Sequence, residues 1–322
     1  MSCALTIIEA HGATLAKRWQ PDGTCRAYDN ARLVTLHPEP VADLAALAAL
    51  LKQLAPMSRR CIVRGEPIDP ARVVRVRRLL HSDPETCEPA TLREVPRRWA
   101  SVDVDSLPVP SGTDLHDLAA CARVVVAHLP HAFRDVAGIV TATAGHGIKP
   151  GVRLRLWYWL SRPTTGAELR RWFEGCPVDI ATFHTVQPNY TAAPIFAGSM
   201  PDPLPLRLAM IPGAHGVARV PAPSLLRPVR IIRAAPAGSA GHPSERFAGL
   251  LRTVRNAPEG SRHQTLFWAA CRAGELVAAG GMGEGAAAAA LARAAMDGGG
   301  KDERNAEATA RGGIARGKGD AA

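Results

Sequence analysis

Aromatic residues make up only 5% of the 322 residues, and no apolar run approaches the roughly 20 needed to cross a bilayer. The longest such runs, Leu44 to Leu51 and Ala286 to Ala292, are far too short, so no membrane association is expected. The amino terminus, MSCALTIIEAHGATLAKRW, lacks the charged start, apolar stretch and small-residue site of a secretory signal, and a cytoplasmic location is the expectation. Seven scattered cysteines include no CxxC pair, which argues against both a disulfide framework and a zinc knuckle. There is no GxxxxGK[ST] phosphate loop, so the chain carries no recognisable helicase motor. GxGxxG and GxSxG are missing too, which removes the usual support for a dinucleotide-dependent oxidoreductase or an α/β-hydrolase.

What is present is a hydrophobic content of 47%, enough for a substantial core, and a net charge of +10. A basic surface attracts phosphate backbones and releases their counterions, although arginine-rich and alanine-rich composition by itself raises the odds of nucleic-acid binding only modestly.

Apolar spacing predicts a helix over 39–55, started at Pro38/Pro40, then a short buried strand at Cys61 to Val63 and a basic helix through ARVVRVRRLL. WASVDVDSL alternates like a strand, and a helix over 115–129 follows it. GIVTATAG and RLRLWYWL read as two strands of a hairpin with a longer loop, and GAELRRWFEG as a helix. Proline and glycine between Met200 and Pro243 predict an irregular closing segment, and three short helices follow at about 262–279, 285–296 and 302–316. The division expected is a catalytic domain over 1–235, a linker over 236–245 and a small helical domain over 246–322, whose basic end is expected to fray.

Residues i and i+2 of a strand share a face, so Asp103 and Asp105 stand a few ångströms apart and repel each other unless cations lie between them. Mg²⁺ or Mn²⁺ would supply that charge, and a pair of such ions can activate a 3′ hydroxyl and stabilise a pyrophosphate leaving group. By its spacing alone, the pair is more simply a solvated strand end. His146 lies in a glycine-flanked turn from which a ring nitrogen could donate to phosphate; Lys149 shares that turn, and Arg153 and Arg155 share one face of the next strand. The plain alternatives are a loop histidine and an exposed sheet face on which Trp157 and Trp159 pack. A relaxase-type endonuclease would need a HxH metal pair, whereas the chain offers His128-Leu129-Pro130-His131.

The order of these pieces is more specific than any one of them. The apolar-DxD strand is followed by a small-residue strand ending in Ala144-Gly145-His146, by a basic strand, and by an apolar-Asp step at Val178-Asp179. Together with GHGIKPGVRLRLWYWLSRP and VDIATFHTVQPNYTAAPIF, this order resembles the hDhD, SxH and hD motifs of the archaeo-eukaryotic primase superfamily, in its phage and mobile-element form. The resemblance covers about residues 95–213. It implies an α+β catalytic core with an RNA-recognition-motif-like sheet and a carboxy-terminal helical domain. It implies Asp103, Asp105 and Asp179 as catalytic metal ligands for Mg²⁺ or Mn²⁺, and His146 as a contact to the nucleotide triphosphate. The activity implied is template-directed DNA primase-polymerase chemistry on single-stranded DNA with NTPs or dNTPs, served by a helicase on a separate polypeptide. The alternative expectation is a catalytically weakened replication-initiation or single-stranded-DNA-binding protein on the same fold. Two departures from the family pattern stand out: Ala144 replaces the serine of the second motif, and Gln187 and Asn189 occupy a region where relatives carry a basic residue. The carboxy-terminal segment resembles the helical domain of such proteins from its Gly260-Ser261-Arg262-His263 start, with histidine where the frame has asparagine.

Overall fold

The alternation of WASVDVDSL does produce a strand, Arg97–Leu107, which forms one edge of the sheet that organises the first half of the protein. The structure is a computed structural model that describes residues 4–83, 86–226, 243–258, 261–300 and 302–319. Its contacts divide the chain into residues 1–229 and 230–322. The linker expected at 236–245 lies outside the described residues as far as 242.

In the first unit the strands are β1 (Ala4–Ala10), β2 (Arg18–Trp19), β3 (Cys25–Arg26), β4 (Val34–Pro40), β5 (Arg60–Val63), β6 (Glu66–Pro67), β7 (Leu92–Arg93), β8 (Arg97–Leu107), β9 (Gly138–Ala142), β10 (Val152–Thr164), β11 (Asn189–Tyr190), β12 (Ile195–Phe196) and β13 (Leu208–Ile211). The helices are α1 (Leu44–Leu54), α2 (Leu118–Val126) and α3 (Gly166–Trp172). One four-stranded sheet has the order β11-β5-β1-β4 and a second has the order β13-β9-β10-β8; both are antiparallel throughout. In the second sheet β10 lies between β8 and β9, which α2 connects, and β13 adds outside β9.

This second sheet is covered on both faces. Val102, Val104, Leu154, Leu156, Tyr158 and Val140 pack on one side with residues of α2 and α3. The other side begins apolar, with Trp99, Trp157, Trp159 and Ile139 buried against Leu5 and Ile7 of β1 and Leu47 and Leu51 of α1. The two tryptophans expected on an exposed sheet face are therefore core residues between layers. Large aromatic rings that bury this much area fix the spacing between the two sheets.

Several local expectations are corrected. Pro38 and Pro40 do not start α1. They lie in β4, at the edge of its sheet, where a missing N–H costs no ladder bond, and the helix begins after Asp43, whose carboxylate accepts from the Ala46 N–H at 2.8 Å. ARVVRVRRLL is not a helix: Val34 and Val76 exchange backbone hydrogen bonds of 2.9 Å, and Leu36 donates to Val73, so the segment runs beside β4. Its valines serve that pairing, and Arg75, with φ of 53°, breaks any helical run. The segment expected to be irregular contains β13, whose Leu208–Ile211 pair with β9. Helix α3 begins with a capping box in which Thr165 and Glu168 satisfy each other's backbone N–H groups.

The second unit contains α4 (Pro243–Arg255), α5 (Arg262–Ala278), α6 (Glu284–Asp297) and α7 (Glu303–Gly319). The last three match the expected helices; α4 was unforeseen. The basic end is not frayed as far as Gly319. In α7, Gly313 and Gly317 lie against Ala270 and Cys271 of α5, and a Cβ on Gly317 would come within 1.9 Å of the Cys271 carbonyl oxygen. Glycines that break an isolated helix are here the surface that lets two helices touch.

Candidate active site

The inter-layer face of the second sheet changes character along its length. Past Trp99 and Trp157 it continues as Ser101, Asp103 and Asp105 on β8, opposed by Arg155 and Arg153 on β10 and by Thr141 and Thr143 on β9 and beyond it. Period-two alternation puts all these side chains on the face that is apolar at its other end, so the polar residues interrupt a buried surface.

Asp103 and Arg155 are register partners across the strands, and an Arg155 nitrogen donates to Asp103 Oδ2 at 2.9 Å. The Arg155 side chain is only 6% exposed, and it also donates to the Tyr190 carbonyl. Its burial opposes the charge, but the Asp103 carboxylate more than offsets this and raises the guanidinium pKa above its ordinary value. Asp105 pairs with Arg153, which also bonds Ser106. That second carboxylate is 71% exposed, so its ion pair is worth only about 0–1 kcal/mol. Asp179 sits at the start of the 3-10 turn Ile180–Phe183. Its side chain accepts from the Ala181 N–H, and its own backbone N–H donates to the Asp103 carbonyl at 2.9 Å. The three aspartates therefore belong to two chain segments in direct contact through the backbone.

His146 is placed differently from the expectation. It is fully buried: Nδ1 accepts from the Arg153 N–H at 3.2 Å, so Nε2 carries the proton and donates to the Leu115 carbonyl at 2.9 Å. Burial lowers its pKa and keeps it neutral. Both ring nitrogens are committed to the protein, and neither is left for a phosphate. The same turn is fastened by Trp19, whose Nε1 donates to the Ala144 carbonyl at 2.8 Å. The exposed Lys149 ammonium lies 5.7 Å from the Trp19 ring centre. Asn189 is likewise buried, bonded to the Ser101 hydroxyl, and is a structural residue.

Arg155 forms part of the wall of a cavity of about 340 Å³ that lies between the layers at their polar end. Thr141, Thr143, Lys17, Lys52, Arg207 and the tyrosines Tyr28 and Tyr190 also line it. The two tyrosine rings stack at 3.5 Å with planes 6° apart, and the Lys17 ammonium stands 5.2 Å over Tyr28. Desolvation raises the pKa of both phenols. The sequence motifs point to none of Tyr28, Lys17, Lys52 and Arg207. Those four come from segments without a motif, and no spacing rule connects them.

Whether these residues suit a divalent cation can be judged from the carboxylates. Among the described residues no three His, Cys, Asp or Glu side chains converge closely enough to hold a metal ion as they stand. Yet Asp103 Oδ1 is buried without a hydrogen-bond partner, and a buried carboxylate oxygen in that condition calls for a cation or a donor. The Asp105 carboxylate is 71% exposed and Asp179 is exposed too, so both are open to solvent on the two segments that meet at Asp103. The donor set, all oxygen and anionic, suits Mg²⁺ or Mn²⁺.

No family model, curated protein or solved structure matches the chain. The geometry and the motif order therefore carry the functional argument alone.

Proposed function

We propose that the first unit is a nucleotidyltransferase, a template-directed DNA primase-polymerase that extends a 3′ hydroxyl with nucleoside triphosphates on single-stranded DNA, for the replication of a phage or mobile element. The observation that carries this reading is the pairing of Asp103 and Asp105 with Arg155 and Arg153 at the polar end of an otherwise apolar face, beside a cavity whose walls are basic and aromatic. A triphosphate needs cationic donors and a base needs a planar or apolar wall, and the cavity supplies both.

On this reading Asp103, Asp105 and Asp179 hold Mg²⁺ or Mn²⁺, which when bound offsets the charge of the phosphates and of the pyrophosphate that leaves. Arg155, fixed by the Tyr190 carbonyl and Asp103, presents its guanidinium to the phosphates, while Arg153 and Lys149 add charge at the rim. Tyr28 and Tyr190 wall the cavity with a stacked aromatic pair. His146 acts through position alone, by holding the turn that carries Lys149. Templated synthesis requires a single-stranded template, and with no phosphate-loop motif in the sequence, a helicase on another polypeptide is part of the proposal. The motif order supports the α+β primase-type core, as does the β8-α2-β9-β10 arrangement with β10 inside.

A second reading, a binding protein of the same fold without turnover, is favoured by the commitment of His146 and by the standing arginine pairs of Asp103 and Asp105. Incubating the purified protein with single-stranded DNA, labelled NTPs or dNTPs and Mg²⁺ or Mn²⁺ separates the two. Labelled oligomers are expected from the wild type, and none from Asp103→Ala or Asp179→Ala, with DNA binding retained. Undiminished synthesis by both variants would sink the assignment, and no synthesis by the wild type would leave the binding protein.

A further inference from the structure

The first unit carries a second basic recess, at the opposite end of the second sheet from the aspartates. It is a hollow of about 450 Å³ lined by His131, Arg134, His215 and Arg219, with Val217 at its surface. Arg155 stands opposite Thr141 on β9, and His215 bridges Val136, five residues earlier along that chain. At about 3.3 Å per residue the two positions are roughly 16 Å apart, so this hollow is separate from the cavity at Arg155.

The chain goes to some length to build it. Phe133 is fully buried and anchors the short turn His131–Phe133 to the core. Asp135 then adopts φ of 54°, a conformation costly for a non-glycine residue, and its carboxylate accepts from the Ala214 N–H at 3.1 Å. His215 is held from both sides: its carbonyl accepts from Ala137 at 2.7 Å and its N–H donates to Asp135 at 3.1 Å. Gly213 lets the two segments meet, since a Cβ there would fall 2.4 Å from the Ala137 nitrogen. The hollow is thus rigid in its backbone and presents exposed cationic side chains.

Neither Arg134 nor Arg219 has a carboxylate partner among the described residues. Arg60, Arg77, Arg93, Arg153, Arg155, Arg162 and Arg207 of the same unit are ion-paired, and what distinguishes Arg134 and Arg219 from its other arginines is that they line one hollow together. The adjacent Asp135 carboxylate accepts from the Ala214 N–H and does not line the hollow.

We propose that this recess binds the phosphodiester backbone of single-stranded nucleic acid. Two unpaired guanidinium groups offer the forked donors that phosphate oxygens accept. No Phe, Tyr or Trp lines the recess, and the charged donors are its two guanidinium groups, so recognition is chiefly of the backbone and independent of sequence. A flexible strand can settle a phosphate into a hollow of this size, whereas a stiff duplex touches only its rim. The recess does not depend on catalysis at Asp103.

The test is fluorescence polarisation of a labelled oligothymidylate with the full chain, in EDTA and without nucleotide, over a salt series. The variants are Arg134→Ala/Arg219→Ala and Arg134→Lys/Arg219→Lys. Both arginines are exposed, so the thermal midpoint should stay unchanged. The double alanine variant is expected to bind roughly tenfold more weakly, with the slope of log affinity against log salt smaller by about 0.7 for each lost phosphate contact. The lysine variant should keep most of the affinity, and neither result depends on whether primers are made. Unchanged affinity and slope in the double alanine variant would overturn the proposal. So would an equal loss measured with duplex of the same sequence, or competition by inorganic phosphate at the concentration at which the oligonucleotide competes.

Discussion

The two nitrogens of His146 are both spent inside the protein, one accepting from Arg153 and one donating to Leu115, and this decides what the residue can do. Replacing it with alanine leaves a half-buried carbonyl and a half-buried N–H without their partner, at a cost of about 1–3 kcal/mol. His146→Ala should therefore lower the urea midpoint while leaving the nucleotide KM within about twofold. A large rise in KM at unchanged stability would restore a phosphate-binding role. The sequence could name the histidine and its glycine-flanked turn but not its burial, because Leu115 lies 31 residues away and the distance between them closes only in the fold. Asp103 and Asp105 were legible as a same-face pair by strand periodicity. That Arg155 and Arg153 would neutralise them was not, since each arginine was one of two on its own strand face and the register between β8 and β10 has no local signature.

At the scale of elements, the glycines of α7 show how one residue type carries opposite meanings. Gly317 lies so close to the Cys271 carbonyl that a side chain forces α5 and α7 apart, whereas nothing lies within 4 Å of the Cβ position of Gly312. Gly317→Ala is expected to destabilise the protein by about 1–3 kcal/mol, as overpacking does. Gly312→Ala should stabilise it by about 0.5–1 kcal/mol, the difference in helix propensity. Thermal melts of the two single variants check both signs, and equal shifts in one direction would contradict the close contact. The three carboxy-terminal helices were readable because apolar and alanine spacing is local. Helix α4 and strand β13 were obscured, the first by the proline and glycine around it and the second by the prolines that flank it. ARVVRVRRLL misled for a related reason: its valines fit either a helix face or an edge pairing, and the exchange with Val34 decides between them.

For the molecule as a whole, the division into 1–229 and 230–322 has a measurable consequence. The second unit has its own core, in which Leu266, Ala269, Ala270 and Ala273 pack with Ala288, Leu291, Ala310 and Ile314. A fragment spanning 243–319 is expected to be helical by circular dichroism and to unfold in one cooperative transition. A fragment that is random coil would show that this core depends on the rest of the chain. No helix among the described residues is long and apolar enough to cross a membrane.

By itself the sequence determined the elements whose pattern is local: the DxD strand, the hairpin of β9 and β10, and the last three helices of the second unit. It also determined the order in which the acidic and basic residues arrive. Only the tertiary structure decided what those residues face. Pairing and layer packing bring Tyr28, Lys17, Lys52 and Arg207 to the same cavity as Arg155, and they set the aspartates against arginines and leave Asp103 Oδ1 unpartnered. Contacts between segments far apart in the chain depend on which face each strand turns inward and on which strand lies beside it. Neither is written in any short stretch of residues.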